Sequence, residues 1–440
     1  MRRILSIWAI VSTVAFAQGT KSPQTAEESK KTEIAPDVQT EQDRKIEILS
    51  QEVEKLKAGK ELFPAAKETG RYGLGPAASK VYEVNQGVSI GGYGEFLYNK
   101  NARTNEAGND SGQNDKIDSL RQIVYVGYKF NDKWVFNSEI EFEHAGAANV
   151  YTEFAAIDYL HDPRLNFRAG LLLIPMGIYN EMHEAPTFLA ATRPLTETVI
   201  MPSTWRENGA GIFGQLGDFA YKLYGVTSLN AATDGATSSR PDNDPNFTSQ
   251  GLRGGRQRGN EAIANEFSGV LRVDYTGFTG SIFGVSGYYG KSGSADLHVH
   301  ETTILDAHAD VRFRGVYFRS VVTFANLTGA DRLRTASGST TIGPADQMYG
   351  AYIELGYDVF RLLNITEQEL YPHIRLEKVD TQYKVAAGNR FDARYEQNVL
   401  TIGLAYKPIR QIIAKIDYAI TSNKAQTGFN QLNFGLGYLF

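Results

Sequence analysis

From residue 88 to the C-terminus, apolar and polar side chains alternate along short segments divided by turn residues. Sixteen such segments lie near 88–98, 119–130, 133–144, 149–161, 164–175, 207–217, 218–228, 263–275, 278–289, 298–315, 316–326, 347–358, 370–383, 394–407, 410–422 and 428–440. A period of two is the mark of strands whose two faces meet different surroundings. The last segment sets Leu432, Phe434, Leu436, Tyr438 and Phe440 against Asn433, Gly435, Gly437 and Leu439. The fifteenth sets Ile412, Ala414, Ile416, Tyr418 and Ile420 against Lys415 and Asp417, and the tenth sets Leu305, Ala307, Ala309, Val311 and Phe313 against Asp306, His308, Asp310, Arg312 and Arg314. The links alternate as well. Tight ones such as Asn131-Asp132, His161-Asp162-Pro163, Gly217-Asp218 and Lys407-Pro408 take turns with long ones at 99–118, 176–206, 229–262 and 327–346. Short turns on one rim and long loops on the other are the layout of a membrane barrel.

The chemistry of the faces decides between a soluble sandwich and a barrel in lipid. The chain has no helices to cover sixteen apolar faces, while the opposite faces often carry charge. Lipid takes the first face and water the second, and an open edge in hydrocarbon would strand a row of unpaired backbone groups, so the sheet must close. The expected fold is therefore all-β, a 16-stranded antiparallel transmembrane β-barrel over 88–440 preceded by a short N-terminal coiled-coil helix. A basic residue at the lipid midplane costs about 2–4 kcal/mol, which assigns the charged runs to the lumen. These are Arg121, Arg168, Arg272, Arg312, Arg314, Arg319, Arg375 and Lys415 against Glu139, Glu141, Glu143, Glu266, Asp274, Asp306, Asp310, Glu354, Glu377 and Asp417. A sixteen-stranded barrel is too wide for side chains to fill and must hold water or a plug.

The N-terminal region changes the picture of where this barrel lives. Arg2 and Arg3, an apolar run from Ile4 to Val14 and Ala15-Phe16-Ala17 make residues 1–17 a secretory signal peptide. A membrane anchor is the alternative, but the run is too short to span. Residues 18–38 read as a flexible polar leader. Ile46, Leu49, Val53 and Leu56 then form a short heptad seam in a coiled coil over 39–58; one amphipathic helix packed on its own barrel would show the same pattern. Residues 59–87, with Gly70, Gly73, Gly75 and Pro76, read as a linker. The stretch from Gln18 to Gly87 is too polar and short for a plug domain, which favours an open pore narrowed by a loop. Composition agrees: no cysteine, 43 Gly, 24 Tyr and 23 Phe, and a mean hydropathy of −0.32 that excludes helical membrane spans. The net charge of −5 gives no argument for nucleic-acid binding.

Two local runs carry a family resemblance. Phe167-Arg168-Ala169-Gly170-Leu171-Leu172-Leu173-Ile174-Pro175-Met176-Gly177 and Met201-Pro202-Ser203-Thr204-Trp205-Arg206-Glu207-Asn208-Gly209-Ala210-Gly211-Ile212-Phe213-Gly214, with the leader, coiled coil, strand number and C-terminal aromatic, make the chain resemble the phosphate-selective porins O and P. The resemblance implies a homotrimer in the bacterial outer membrane that passes small hydrophilic solutes or ions without catalysis. It also implies a third loop, about 176–206, folded inward as a constriction carrying Glu181, His183, Glu184, Arg193, Arg206 and Glu207. Leu172 and Ile174 stand where phosphate-selective members would carry basic or polar groups, so phosphate or other anion selectivity is the alternative, and an adhesin-like barrel with partner-binding loops is a second.

Other chemistries find little footing. His298, His300 and His308 alternate on one strand, yet His308 is too far along for joint metal coordination, so no metal or cofactor is expected. Ser320 shares the lipid face of Phe318 and Val322, and His144 and His161 sit at strand ends, so no Ser–His pair is available for an enzyme. Arg253-Gly254-Gly255-Arg256-Gln257-Arg258 reads as an ordinary solvated loop tip, with anion attraction as the alternative. Arg312, Arg314 and Arg319 are expected to form a basic patch in the lumen, largely offset by Asp306 and Asp310.

Overall fold

The computed structural model describes residues 36–57, 70–146, 149–231, 246–292, 301–331, 343–365, 367–388 and 390–440. The expected signal peptide, most of the leader, the first part of the linker, His298 and His300 lie outside the described residues. Helix α1 spans Pro36–Lys57. It opens three residues inside the expected leader, at a proline whose missing N–H costs nothing in a first helical turn. Ile46 and Leu49 of its seam are exposed, and Glu41 pairs with Lys45 one turn on at 2.9 Å.

The sixteen strands are β1 Gly87–Asn101, β2 Lys116–Lys129, β3 Trp134–Glu143, β4 Val150–Asp162, β5 Leu165–Leu173, β6 Arg206–Leu216, β7 Phe219–Thr227 and β8 Phe267–Tyr275, followed by β9 Ser281–Lys291, β10 Glu301–Phe313, β11 Val316–Leu327, β12 Ala345–Tyr357, β13 Glu369–Val385, β14 Glu396–Ile409, β15 Ile412–Asn423 and β16 Gln431–Leu439. Each pairs antiparallel with its sequence neighbours. Closure comes from β1 on β16, with Tyr93 opposite Leu439 and Asn101 opposite Gln431, so the sheet is one barrel with no free edge. The tight links gather on one rim. Arg314-Gly315 joins β10 to β11 with both residues at positive φ, 51° and 87°, the two-residue turn that matches strand twist. That turn corrects the lumen assignment of Arg314: it is exposed on the rim, its guanidinium 5.1 Å from the Phe313 ring centre. Glu266 is likewise outside the wall, just before β8, where it meets Lys291 at 4.0 Å.

Burial follows the alternation. Leu305 and Phe313 on β10, Val322 and Phe324 on β11, Ile402 and Leu404 on β14, Ile416 and Tyr418 on β15, and Phe434 and Leu436 on β16 are exposed on the outside. Asp306, His308 and Asp310, Arg319 and Thr323, Thr401, Lys415 and Asp417, and Asn433 are buried inside. At the short-turn rim aromatics pair outside, Trp134 with Tyr159 at 4.8 Å and Phe219 with Tyr275 at 5.2 Å, as in the girdle where a barrel meets a membrane interface.

The segment 70–86 is a second correction. It is not a free linker: Leu74, Ala77, Ala78, Val81 and Tyr82 pack in one buried cluster with Tyr93, Ile123, Tyr125 and Phe154 on the inner wall. We call it the strap. Ser79 folds it locally, accepting from the Arg71 amide at 2.7 Å and donating to the Gly75 carbonyl at 2.8 Å. Gly127 on β2 makes room, since a Cβ there would lie 2.5 Å from Val81. Side chains then fix it to the wall: Asn137 donates to the Ala78 carbonyl at 2.8 Å and Tyr82 to Asp158 at 2.7 Å.

One prediction tests which face meets hydrocarbon. Val322→Arg, midway along β11 on the outside, is expected to destabilise the barrel refolded in lipid vesicles by about 2–4 kcal/mol. The measurement is the denaturant midpoint, and an unchanged midpoint would place that face in water.

Candidate constriction site

The long link between β5 and β6, residues 174–205, turns into the barrel; we call it L3. A chain segment carried inward from a sheet brings backbone N–H and C=O groups that must find partners. Asn180 supplies the neck. Its Nδ2 donates to the carbonyls of Ile174 and Trp205 at 2.7 and 2.8 Å, and its Oδ1 accepts from the Trp205 amide at 2.7 Å, so one side chain ties the two ends together. Glu197 performs the same service inside L3. It accepts from the amides of Ile178 and Tyr179 at 2.6 and 2.8 Å and from the Tyr352 hydroxyl at 2.5 Å.

The charged wall holds the rest. On one side Lys222 donates to Glu181 at 2.5 Å, Arg272 donates to the Gly177 carbonyl, and Asp306 accepts from the Gly177 amide at 3.2 Å. Further along β10 and on β11, Arg312 and Arg319 both donate to the Thr187 carbonyl, at 2.8 and 3.4 Å, and both pair with Asp310. Lys415 donates to the Ala190 carbonyl at 3.1 Å while Asp417 accepts from the Ala191 amide at 2.6 Å. Arg375 donates to the Thr192 carbonyl at 2.8 Å, and Glu377 accepts from both the amide and hydroxyl of Thr196 at 2.7 and 2.8 Å. L3 therefore crosses from β5 to the opposite wall at β10–β15.

The strap and the next long loop complete the closure. Glu184 of L3 accepts from the amides of Ala77 and Ala78, each at 2.9 Å, and the neighbouring His183 meets Glu139 of β3 at 3.0 Å. From the other side Leu252 donates its amide to the Val199 carbonyl at 2.8 Å, and Arg256 donates to the Ser203 carbonyl at 2.8 Å. The basic run 253–258 is thus built into the closure, with Arg256 buried, rather than being a solvated tip.

Of the residues assigned to the lumen, Arg121, Arg168, Arg272, Arg319, Arg375, Lys415, Glu139, Glu141, Asp306, Asp310, Glu354 and Asp417 are on the inner face and buried. Arg319 and Glu354 are 0% exposed, so they line no open water column. The lumen is crossed by L3, which also packs against the strap. Arg312 keeps a partly exposed side chain. In L3, Glu181, His183 and Glu184 are buried and Arg193 is partly exposed. Arg206 and Glu207 belong to the start of β6, not to the loop. Arg206 pairs with Glu153 at 2.6 Å, and Glu207 accepts from the Gln257 amide at 2.8 Å. Leu172 and Ile174, apolar where basic groups were expected, pack with Trp205, Tyr224 and Met176 under the loop. His308 joins no other histidine among the described residues; it lies between Asp306 and Asp274 at 2.6 and 2.9 Å.

Comparison with known proteins bears on fold and kinship. No family model matches the chain. An uncharacterized protein of Aquifex aeolicus is 36% identical over 366 residues, covering 79% of this chain and 78% of that protein. The chain belongs to the same family as that protein. Among solved structures, Salmonella typhi OmpF in complex with daunomycin covers 81% of this chain and 98% of its own at 13% identity and a TM-score of 0.50. The anion-selective porin of Comamonas acidovorans gives 10% identity, 80% and 99% coverage and a TM-score of 0.48. At 13% identity the likeness to OmpF is one of fold, a porin-type sixteen-stranded barrel.

Asn180→Ala removes the neck. Hydrogen exchange at the Trp205 amide is expected to quicken, with a cost of about 1–3 kcal/mol for each group left unpaired, while the strand amides stay protected. Unchanged exchange at Trp205 would mean that the neck is held elsewhere.

Proposed function

We propose that the protein is an outer-membrane porin that lets small hydrophilic solutes or ions diffuse passively through a narrow passage beside L3. The observation that carries this reading is the pairing of an apolar outer wall with a charged inner wall, closed around an inserted loop. A barrel of this width has no need of buried charge for stability, since removing one partner from a buried pair is costly and replacing both is often not. Charge in the lumen makes sense where water and solutes pass. Chemistry without catalysis fits the same picture: Arg312, Arg319, Arg375 and Lys415 bind carbonyls of L3, and Asp417 and Glu377 bind its amides.

The finer parts of the reading follow from chain and wall together. Export with removal of residues 1–17 delivers the barrel to the outer membrane. The exposed Ile46 and Leu49 of α1 support self-association, and a homotrimer through barrel walls is the assembly we propose. Selectivity for phosphate or another anion draws less support, because Arg319 and Arg375 are buried and committed to carbonyls of L3.

In a planar lipid bilayer the purified protein is expected to give discrete, ohmic, small single-channel steps. Folded protein that stays silent would overturn the porin reading. The double variant Arg312→Glu with Arg319→Glu is expected to enlarge or destabilise the steps, because it frees the Thr187 anchor and sets two new carboxylates beside Asp310. The zero-current potential in a salt gradient is expected to move much less. A large shift with steady, unchanged conductance would mean that these arginines face the permeation path after all.

A further inference from the structure

A mixed set of buried charges lies away from the L3 anchors, on the wall formed by β1–β4 and the start of β6. Glu95, Arg121, Glu141, Glu153 and Arg206 stand there side by side, all buried. Arg206 Nη1 meets Glu153 at 2.6 Å, but much of the remaining hydrogen-bonding capacity is unspent. Arg121 Nε lies 3.5 Å from Glu95 and 3.9 Å from Glu141, beyond good hydrogen bonds, and neither its Nε nor its Nη1 has a partner. Glu141 Oε1, Glu153 Oε2, Arg206 Nε and the Tyr93 hydroxyl are unpartnered as well. Glu141 and Glu153 are close enough to act on each other electrostatically, and each keeps one oxygen without a partner.

Such groups are expensive. An unsatisfied buried polar atom costs about 1–3 kcal/mol, more when charged, and six of them on one wall call for a common partner. The set is mixed: guanidinium donors stand next to carboxylate acceptors. A simple anion would satisfy the first and be repelled by the second, and a simple cation the reverse. Only a solute carrying both signs a few ångströms apart meets all of them. Nearby, Arg193 of L3 and Glu143 and Tyr151 at the ends of β3 and β4 are partly exposed, and Arg193 lies within electrostatic reach of Tyr93 and Glu141.

We propose that this wall is a recognition site for small zwitterions of the amino-acid type. The solute carboxylate is received by Arg121 and the free Nε of Arg206, with Arg193 as the charge met first on entry. The ammonium is received between Glu141 and Glu153, whose free oxygens replace its lost water. The Tyr93 hydroxyl closes the site from β1. The inference deepens the porin reading by naming the solute class, yet binding itself does not depend on conduction.

The test uses the full-length protein in detergent and three probes of similar size: glycine as zwitterion, glycinamide as cation and acetate as anion. Saturable glycine binding by calorimetry or saturation-transfer NMR is expected, at least about tenfold tighter than either single-charge probe, a factor that corresponds to 1.4 kcal/mol. Arg121→Gln and Glu141→Gln should each remove that preference, while Arg314→Gln on the exposed turn should keep it. Circular dichroism and thermal melting report whether each variant folds, and Glu153→Asp, which keeps the charge, should retain glycine binding at reduced affinity. Absence of saturable glycine binding by the wild type, or equal binding of all three probes, overturns the proposal and leaves the groups to ordered water or a shared proton. Glycine binding in a protein that never conducts would keep the site and sink the porin reading, and conduction without binding would do the reverse.

Discussion

Everything inside this barrel follows from one constraint: a loop drawn into the lumen carries its backbone with it, and each amide and carbonyl needs a partner there. The wall meets that need with ionised side chains, because a charged group makes hydrogen bonds roughly twice as strong as a neutral one and reaches across the gap between loop and sheet. Basic side chains take the carbonyls, as Arg312 and Arg319 do at Thr187 and Lys415 does at Ala190. Carboxylates take the amides, as Asp417 does at Ala191 and Glu377 at Thr196. The presence of both signs along the lumen thus partly reflects L3, whose backbone offers donors as well as acceptors.

The barrel itself was legible because its determinants are local and periodic. Alternation along a strand is set by side-chain direction alone, and in a membrane barrel both faces have strong, opposite preferences. Strand number, the order of long and short links, and the two faces of β10, β15 and β16 came from that pattern. Arg314 shows where it stops. The alternation runs on formally past Phe313, but the following glycine and the need to reverse the chain in two residues turn Arg314 out of the sheet.

The interior was less legible, since what matters there is pairing between residues far apart in sequence. Nothing local announces that Glu184 binds amides at 77 and 78, or that Asn180 joins both ends of L3. A weaker signal did exist for the strap: Leu74, Ala77, Ala78, Val81 and Tyr82 recur at spacings of three and four in a stretch otherwise marked by glycine and proline. Apolar residues so arranged ask for burial, and the wall provides it. The apolar Leu172 and Ile174 carried the same message. They depart from a basic pattern because they support the loop from beneath instead of facing solute.

The division of labour on the inner wall also separates fold from function. Arg272, Arg312, Arg319, Arg375 and Lys415 hold carbonyls of L3, so changing them alters the position of L3 before it alters any interaction with a solute, although Arg319, Glu354 and His373 there also keep unpartnered atoms. Groups on β1–β4 and the start of β6 retain unspent donors and acceptors and lie beside the partly exposed Arg193. A buried charge with a complete set of partners stabilises one arrangement of the chain, whereas one with an incomplete set stores a demand that only water or a passing solute can meet. On the proposed porin reading, a solute that passes L3 on the side of β1–β4 meets a wall that still has hydrogen bonds to offer.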